Sequence, residues 1–403
     1  MKPTLEVIPA RPLHDTPETT DLLVRITAPT LPQGETPPLD LVLAIDTSGS
    51  MGGQPIELAR DAALQVFHQR GRTHLGLVTF SSDARVAAPL QYWGPEAQLH
   101  DALHHLRAGG STALHAGWSL ARDLLTAPVE ARESVRQVPH RLQRVLLLTD
   151  GRANIGLRDP RGLAAEFRQG LAQGVSTSTV GLGRHYDEQL LETLASGGDG
   201  TYHYAETPSD LEGLFLAELD SLKTTFGRLA SLGIDGVEVL DVLNDLPRLP
   251  NGRLALPPLQ GGRTLDLLVR VRAKAGDVVR LRVAWTGADG VRHTERLEAS
   301  LPQTQSARDR HEHPEVVRLR GTLQLARLQR HIADLSDRGR VDDALVRLGE
   351  ARGHLHALTA QGVELGDELR HLDRLQTRLQ DGDHLTASKL SRSDAYRART
   401  GRR

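Results

Sequence analysis

Cysteine is absent from this 403-residue chain. Its absence excludes disulfides, zinc–thiolate sites, iron–sulfur clusters and thiol nucleophiles, and it accords with a cytosolic setting. Aromatic residues make up only 3%, so any core must be built mainly from Leu, Val and Ala. No apolar run reaches the ~18 residues that suggest a membrane helix. The N-terminal stretch MKPTLEVIPARPLHD has no apolar h-region of a secretory leader. The expectation is a cytoplasmic chain that does not span a membrane. Neither sign of charge dominates: the formal net charge of −2 argues against a globally basic nucleic-acid binder. Two catalytic signatures are also missing. There is no GxxxxGK[ST] run for a self-contained P-loop ATPase, and no G-x-S-x-G nucleophile elbow.

What is present is ordinary in bulk, with 39% hydrophobic and 25% charged residues, and long enough for two or three domains. TLEVIPA (3–9 region) and DLLVRIT (21–27) alternate apolar and polar residues as half-buried strands do. A Pro-rich stretch, PTLPQGETPP, separates them from the next unit. Across 38–224, strand-like runs (LDLVLAI, HLGLVTF, RVLLLT) alternate with amphipathic helical stretches, which predicts an α/β unit with a mainly parallel sheet. Its last helix is predicted to open with a capping box, Ser209-Asp-Leu-Glu212. From 225 to 302 the period switches to two, with GADG as a hairpin turn, so a β-sandwich is expected. The strands within 1–36 have no domain of their own and are expected to complete that sandwich, making the α/β unit an insertion. Residues 314–380 read as three amphipathic helices, and 384–403 as a basic, disordered tail, with six basic residues against one Asp beyond Ser388.

One constellation carries chemistry. In LVLAIDTSGSMGG (41–53) a hydrocarbon strand ends in Asp46-x-Ser48-x-Ser50. A second strand, RVLLLT, ends in Asp150-Gly151, and between them the loop AGGST offers Thr112. Ligands of parallel α/β sheets bind outside the carboxyl ends of the strands. Three loops would therefore bring two carboxylates and three hydroxyls to one edge. An all-oxygen donor set suits a hard divalent cation, Mg²⁺ first, with Mn²⁺ or Ca²⁺ as alternatives.

In order and spacing, Asp46-Thr-Ser-Gly-Ser50, Thr112 and Asp150 resemble the metal-ion-dependent adhesion site of von Willebrand factor A (VWA) domains. The resemblance implies a Rossmann-like fold with helices on both faces of the sheet. It implies Ser48 and Ser50 as direct ligands, and Thr112 as one in the ligand-bound form. Asp46 and Asp150 would act mainly through water, with an Asp or Glu from a protein partner completing the shell. The layout, a VWA domain set in a β-sandwich and followed by helices, is similar to that of bacterial relatives of inter-alpha-trypsin-inhibitor heavy chains and calcium-activated chloride-channel-like proteins. Met51-Gly52-Gly53 supplies no acidic pair for a second cation, so one metal is expected.

The function expected is a non-catalytic scaffold or adaptor that captures an acidic side chain through metal, with an AAA+ ATPase-linked complex as one setting. Two rivals stand beside it. A metal-dependent hydrolase would want more carboxylates bridging two ions, and a nucleic-acid factor would use the Arg-rich tail. His311-Glu-His313 has no third ligand nearby and reads as a solvated loop, and Asp381-Gly-Asp383 fails as an EF-hand because Arg392 falls at the twelfth position.

Overall fold

Every residue of strand β3 (Leu39–Asp46) is buried, as expected of a central parallel strand covered on both faces. Around it the computed structural model describes residues 1–32, 38–71, 73–91, 97–127, 141–304, 311–360 and 365–401. They form two units, one of residues 32–225 and another of 1–31, 226–287 and 291–403, so the first interrupts the chain of the second.

The inserted unit holds a six-stranded sheet. Beside β3 lie β4 (His74–Phe80), β5 (Ala84–Gln91), β6 (Leu142–Thr149), β7 (Val175–Leu182) and β8 (Tyr202–Ala205), in the order β5-β4-β3-β6-β7-β8. All pairings are parallel except β4–β5. Edge strand β5 has no counterpart in the sequence reading; its Pro89 and weak alternation hide it, and an edge is where a sheet tolerates proline. Helices cover both faces. Leu41, Leu43 and Ile45 share a core with Ala59, Val66 and Phe67 of α1 (Gln54–His68) and with Phe215 and Leu219 of α6 (Leu211–Lys223). The opposite face carries α3 (Leu114–Thr126), α4 (Pro160–Ala172) and α5 (Glu188–Gly197). There Trp118 stacks on Phe167 at 4.1 Å and donates its indole N–H to Thr177 Oγ1. A short helix, α2 (Ala97–His104), follows β5.

The capping box lies two residues earlier than expected. Thr207 donates its backbone N–H to Asp210 Oδ2 at 2.8 Å, and a single 3₁₀ turn precedes α6. Pro208 at the first position of that turn favours Thr207 as the cap, because its missing N–H needs no partner there.

In the other unit, β1 (Thr4–Pro9), β2 (Glu18–Thr27), β10 (Glu238–Val242) and β13 (Thr264–Ala273) form one antiparallel sheet, in the order β1-β2-β13-β10. The second contains β9 (Thr225–Asp235), β11 (Leu254–Ala255), β12 (Leu259–Gln260), β14 (Val278–Thr286) and β15 (Arg292–Ser300). Leu22, Val24, Ile26, Leu267 and Val269 from the first sheet share a core with Leu232, Leu281, Val283 and Trp285 from the second.

Helix α7 (Pro314–Asp337) lies on the outer face of the first sheet, where Val316 and Leu323 meet Leu23, Leu243 and Leu268. Ion pairs Arg320–Asp21 and Arg327–Asp241, both at 2.7 Å, flank that contact. Glu312 of the His-Glu-His stretch pairs with Arg320 at 2.8 Å. Helices α8 (Val341–Ala360), α9 (Gly366–Gln380) and α10 (His384–Arg399) complete the unit around a Leu-rich core.

Over residues 384–401, helix α10 overturns the expectation of a disordered tail at 384–403; residues 402–403 lie outside those described. Only its small residues escape the usual hydropathy signal: Ala387, Ser388, Ser391 and Ala395 are buried against α7, which itself buries Gly321, Thr322, Ala326 and Ala333. Small side chains let two helices approach closely even where polarity suggests solvent. Arg392 pairs with Asp334 and Asp337 at 2.7 Å, and buried Asn244 donates to the Arg399 carbonyl at 3.1 Å. Among the described residues, no helix is long and apolar enough to cross a membrane.

Candidate metal centre

Strands β3 and β6 are parallel neighbours and run in register, with Ile45 beside Leu148. Their carboxyl ends therefore deliver Asp46 and Asp150 to one edge. From β3 the chain turns outward to β4 on one side, whereas β6 leads to β7 on the other. This is the switch point at which such sheets open a crevice.

Asp46 is fully buried. Its Oδ1 accepts the Ser48 backbone N–H at 2.7 Å, and its Oδ2 accepts the Thr149 hydroxyl at 2.6 Å. The first bond closes a turn across Thr47 and aims Ser48 and Ser50 the same way: their Oγ atoms lie 3.1 Å apart. Ser50 then donates to Asp150 Oδ1 at 2.6 Å. A chain of oxygens thus runs Ser48–Ser50–Asp150, with Ser48 buried and Ser50 exposed at the mouth.

Thr112 reaches the same place by a longer route. Gly109 N–H bonds to the Thr47 carbonyl at 2.8 Å and Gly49 N–H to the Gly110 carbonyl at 3.1 Å, lacing the two loops together. Gly110 has φ +82°, and a Cβ there would sit 2.7 Å from Ser82 Oγ. The turn therefore admits glycine and little else. Asn154 fixes Thr112, two residues on: its Oδ1 accepts the Thr112 N–H at 2.7 Å, while its own backbone N–H donates back to the Thr112 carbonyl at 3.1 Å. A Cβ added to Gly151 would lie 3.2 Å from Thr112 Oγ1 and 3.7 Å from Ser50 Oγ. Glycine at 151 keeps open the space that both hydroxyls face.

All five residues expected at the site therefore converge. The sequence reading missed two that hold them: Thr149, which orients the Asp46 carboxylate, and Asn154, which orients Thr112. A hydroxyl at the last position of β6 and an Asn in the short loop RANIG were the available signals.

The electrostatics follow from burial of two carboxylates side by side. Burial pushes the Asp46 carboxyl up to about 6, although bonds from Thr149 and Ser48 pull it down, and nearby Asp150 adds to the rise. Burial also raises Asp150, against the Ser50 hydrogen bond and the nearby His185. Among the described residues, neither carboxylate has a Lys or Arg partner. Two such carboxylates and three hydroxyls around a space kept clear by Gly151 fit a hard divalent cation.

Comparison with known proteins agrees with this architecture. Residues 40–217 match the von Willebrand factor type A domain family. The chain is 30% identical over 197 residues to the uncharacterized protein YfbK of Escherichia coli (strain K12), covering 48% of this chain and 33% of that one. It is 26% identical over 184 residues to human inter-alpha-trypsin inhibitor heavy chain H4, covering 44% of this chain and 20% of that one. The chain thus spans a third or less of these two relatives. A solved structure, von Willebrand factor type A from Catenulispora acidiphila, superposes with TM-score 0.69 at 16% identity, covering 93% of this chain and 89% of that one. That likeness speaks for the fold alone, and it extends to the sandwich and helices. Residues 40–217 of this chain thus carry a von Willebrand factor type A domain.

Proposed function

We propose that Asp46, Ser48, Ser50, Thr112 and Asp150 hold one divalent cation, Mg²⁺ first, and that the chain uses it to bind an Asp or Glu side chain of a protein partner. The observation that carries this reading is the convergence of two raised carboxylates and three hydroxyls on one open space, with neither carboxylate paired to a Lys or Arg among the described residues. Bound there, the cation would supply a Lewis-acidic coordination position that a carboxylate from outside can fill. The protein's own share is positional. Thr149 and Ser48 N–H orient Asp46, Asn154 orients Thr112, and Ser50 at the mouth leaves the site reachable from solvent.

A non-catalytic role is supported by the makeup of the site among the described residues. Ser48 bonds to Ser50 and Ser50 to Asp150, with no histidine or lysine in contact to activate either as a nucleophile. The burial of Lys389 and the pairing of Arg392 in α10 also leave fewer free cations for phosphate contacts than a disordered basic tail would.

Calorimetric titration of metal-stripped protein with Mg²⁺ and Mn²⁺ tests the site, with Thr112→Ala and Asp150→Ala alongside. One binding site in the wild type, weakened at least tenfold in both variants, is expected. A cation that binds equally well to all three proteins would show that these loops are not its ligands.

A further inference from the structure

The outer face of the second sheet of the sandwich carries a row of arginines. Arg282 of β14 lies directly across from Arg296 of β15 and, on its other side, from Gly233 of β9. Their neighbours Leu232, Leu281, Val283 and Leu297 point into the core, so the two arginines point outward, and both are exposed. The register of β11 continues the row: Leu254 pairs with Leu232, which sets Arg253 beside Gly233. A Cβ at Gly233 would lie 3.7 Å from Arg253 Nε and 3.8 Å from its Cγ, so the missing side chain leaves room for that arginine to lie across the strand. Three guanidinium-bearing side chains thus share one cross-strand row.

Like charges directly opposite one another destabilise a sheet. The next row shows how this face avoids that elsewhere: Arg280 stands between Asp235 and Glu298, 3.6 Å from the latter. The arginine row has no such relief. Among the described residues, no carboxylate pairs with Arg253, Arg282 or Arg296. On its other side Ser231, Ala284 and Thr294 are small and uncharged, so the positive charge forms a line one residue wide. Neither flanking row holds an aromatic ring on which a base could stack.

We propose that this row binds the phosphate backbone of double-helical nucleic acid, without reading its sequence and independently of the metal loops. Spacing favours phosphate. Strands lie ~4.8 Å apart, so the three positions span about 10 Å. One strand of a duplex carries a phosphate every ~3.4 Å of axis and presents about three over that length. An extended acidic peptide turns a side chain to the same face only every ~6.7 Å and presents at most two. Energetics agree: an exposed arginine–carboxylate pair contributes little, whereas contact with a duplex releases its condensed counterions. The lack of stacking rings favours a duplex over single strands. With a formal net charge of −2 for the chain, the row is a local feature and not a property of the whole surface.

The test is fluorescence anisotropy of labelled DNA and RNA duplexes of about 20 base pairs with the full chain, in chelator, at about 25 to 100 mM NaCl. Both duplexes are expected to bind at the lowest salt with Kd below about 0.1 mM. For DNA, three neutralised phosphates give a slope of log K against log salt of about −2.7, an affinity loss of about 40-fold over that range. Arg282→Gln and Arg296→Gln, both at exposed positions, should each flatten the slope by about 0.9 with circular dichroism unchanged. Arg347→Gln makes the same change of charge at an exposed position of α8 and should leave the slope as it is. Absence of binding at the lowest salt, a slope unaltered in Arg282→Gln and Arg296→Gln, or an equal flattening in Arg347→Gln would each overturn the proposal. An octaglutamate peptide binding as tightly as the duplexes would overturn it in favour of an acidic protein segment.

Discussion

A carboxylate held away from water destabilises a fold unless a cation sits beside it, and Asp46 is fully buried. Its folded pKa of about 6 lies above its ordinary 3.8. The contribution of this group to the metal-stripped fold is therefore complete below pH 3.8 and lost as pH rises through about 6. At pH 7 the charged form costs about 3 kcal/mol relative to a neutral one. Asp46→Asn keeps the shape and removes the charge. Its amide N–H₂ would face Thr149 Oγ1, which can instead donate to the Gly151 carbonyl at 3.2 Å. In chelator at pH 7, Asp46→Asn should unfold at a higher urea concentration than wild type, by about 1–3 kcal/mol, while losing metal binding. A variant less stable than wild type under those conditions would mean that hydrogen bonding, not charge, dominates at this position. Asn154 is the complementary case, a residue expected to touch no metal. Asn154→Ala removes the acceptor of the Thr112 N–H, a loss of about 1 kcal/mol. Cation affinity should fall about five- to tenfold in titration, with circular dichroism unchanged.

Among the elements, α6 is fastened to the sheet by a buried ionic network and not only by Phe215 and Leu219. Glu218 accepts from Arg144 of β6 at 2.9 Å and from Ser178 of β7 at 2.6 Å, and meets His203 of β8 at 3.0 Å. Burial works to raise its carboxyl, but Arg144, His203 and Ser178 outweigh it and hold it at about 2. A depressed pKa gives stability that is present above pH 4.5 and lost as pH falls towards 2. Glu218→Gln should cost about 3–5 kcal/mol in urea unfolding at pH 7, because Arg144 is left buried without its charge partner. The variant should also lose the part of the acid sensitivity that falls in that window; a cost near zero would make the network dispensable. The same elements show what was legible beforehand. β3 and β6 announce themselves as hydrocarbon runs ending in Asp, and their loops as clusters of oxygen-bearing residues. α10 does not, because its packing signal is size and not polarity: Ala387, Ser388 and Ser391 fit where a larger apolar residue would not. Thr112 was legible as a candidate. What holds it was not, since Asn154 lies 42 positions away and nothing local links the two.

For the whole molecule, the inserted unit carries every residue of the candidate metal centre and its own hydrophobic core. Residues 32–225 expressed alone should therefore bind Mg²⁺ with an affinity within about threefold of the full chain, measured by the same titration. A much weaker fragment would assign part of the site's order to the remaining residues. The interrupted sandwich has the opposite property, because it cannot be completed from one continuous piece. Arg25 on β2 pairs with Asp266 on β13, 241 positions further along. During synthesis at ~5–20 residues per second, the β1–β2 hairpin emerges roughly 10–50 s before that partner strand exists. An isolated two-stranded hairpin is marginal in water, so Leu22, Val24 and Ile26 are unsheltered for that interval while the inserted unit can already fold. The order in which the ribosome releases this chain thus makes the β1–β2 hairpin the part of the sandwich that waits longest for a neighbouring strand, and a natural point for chaperone capture.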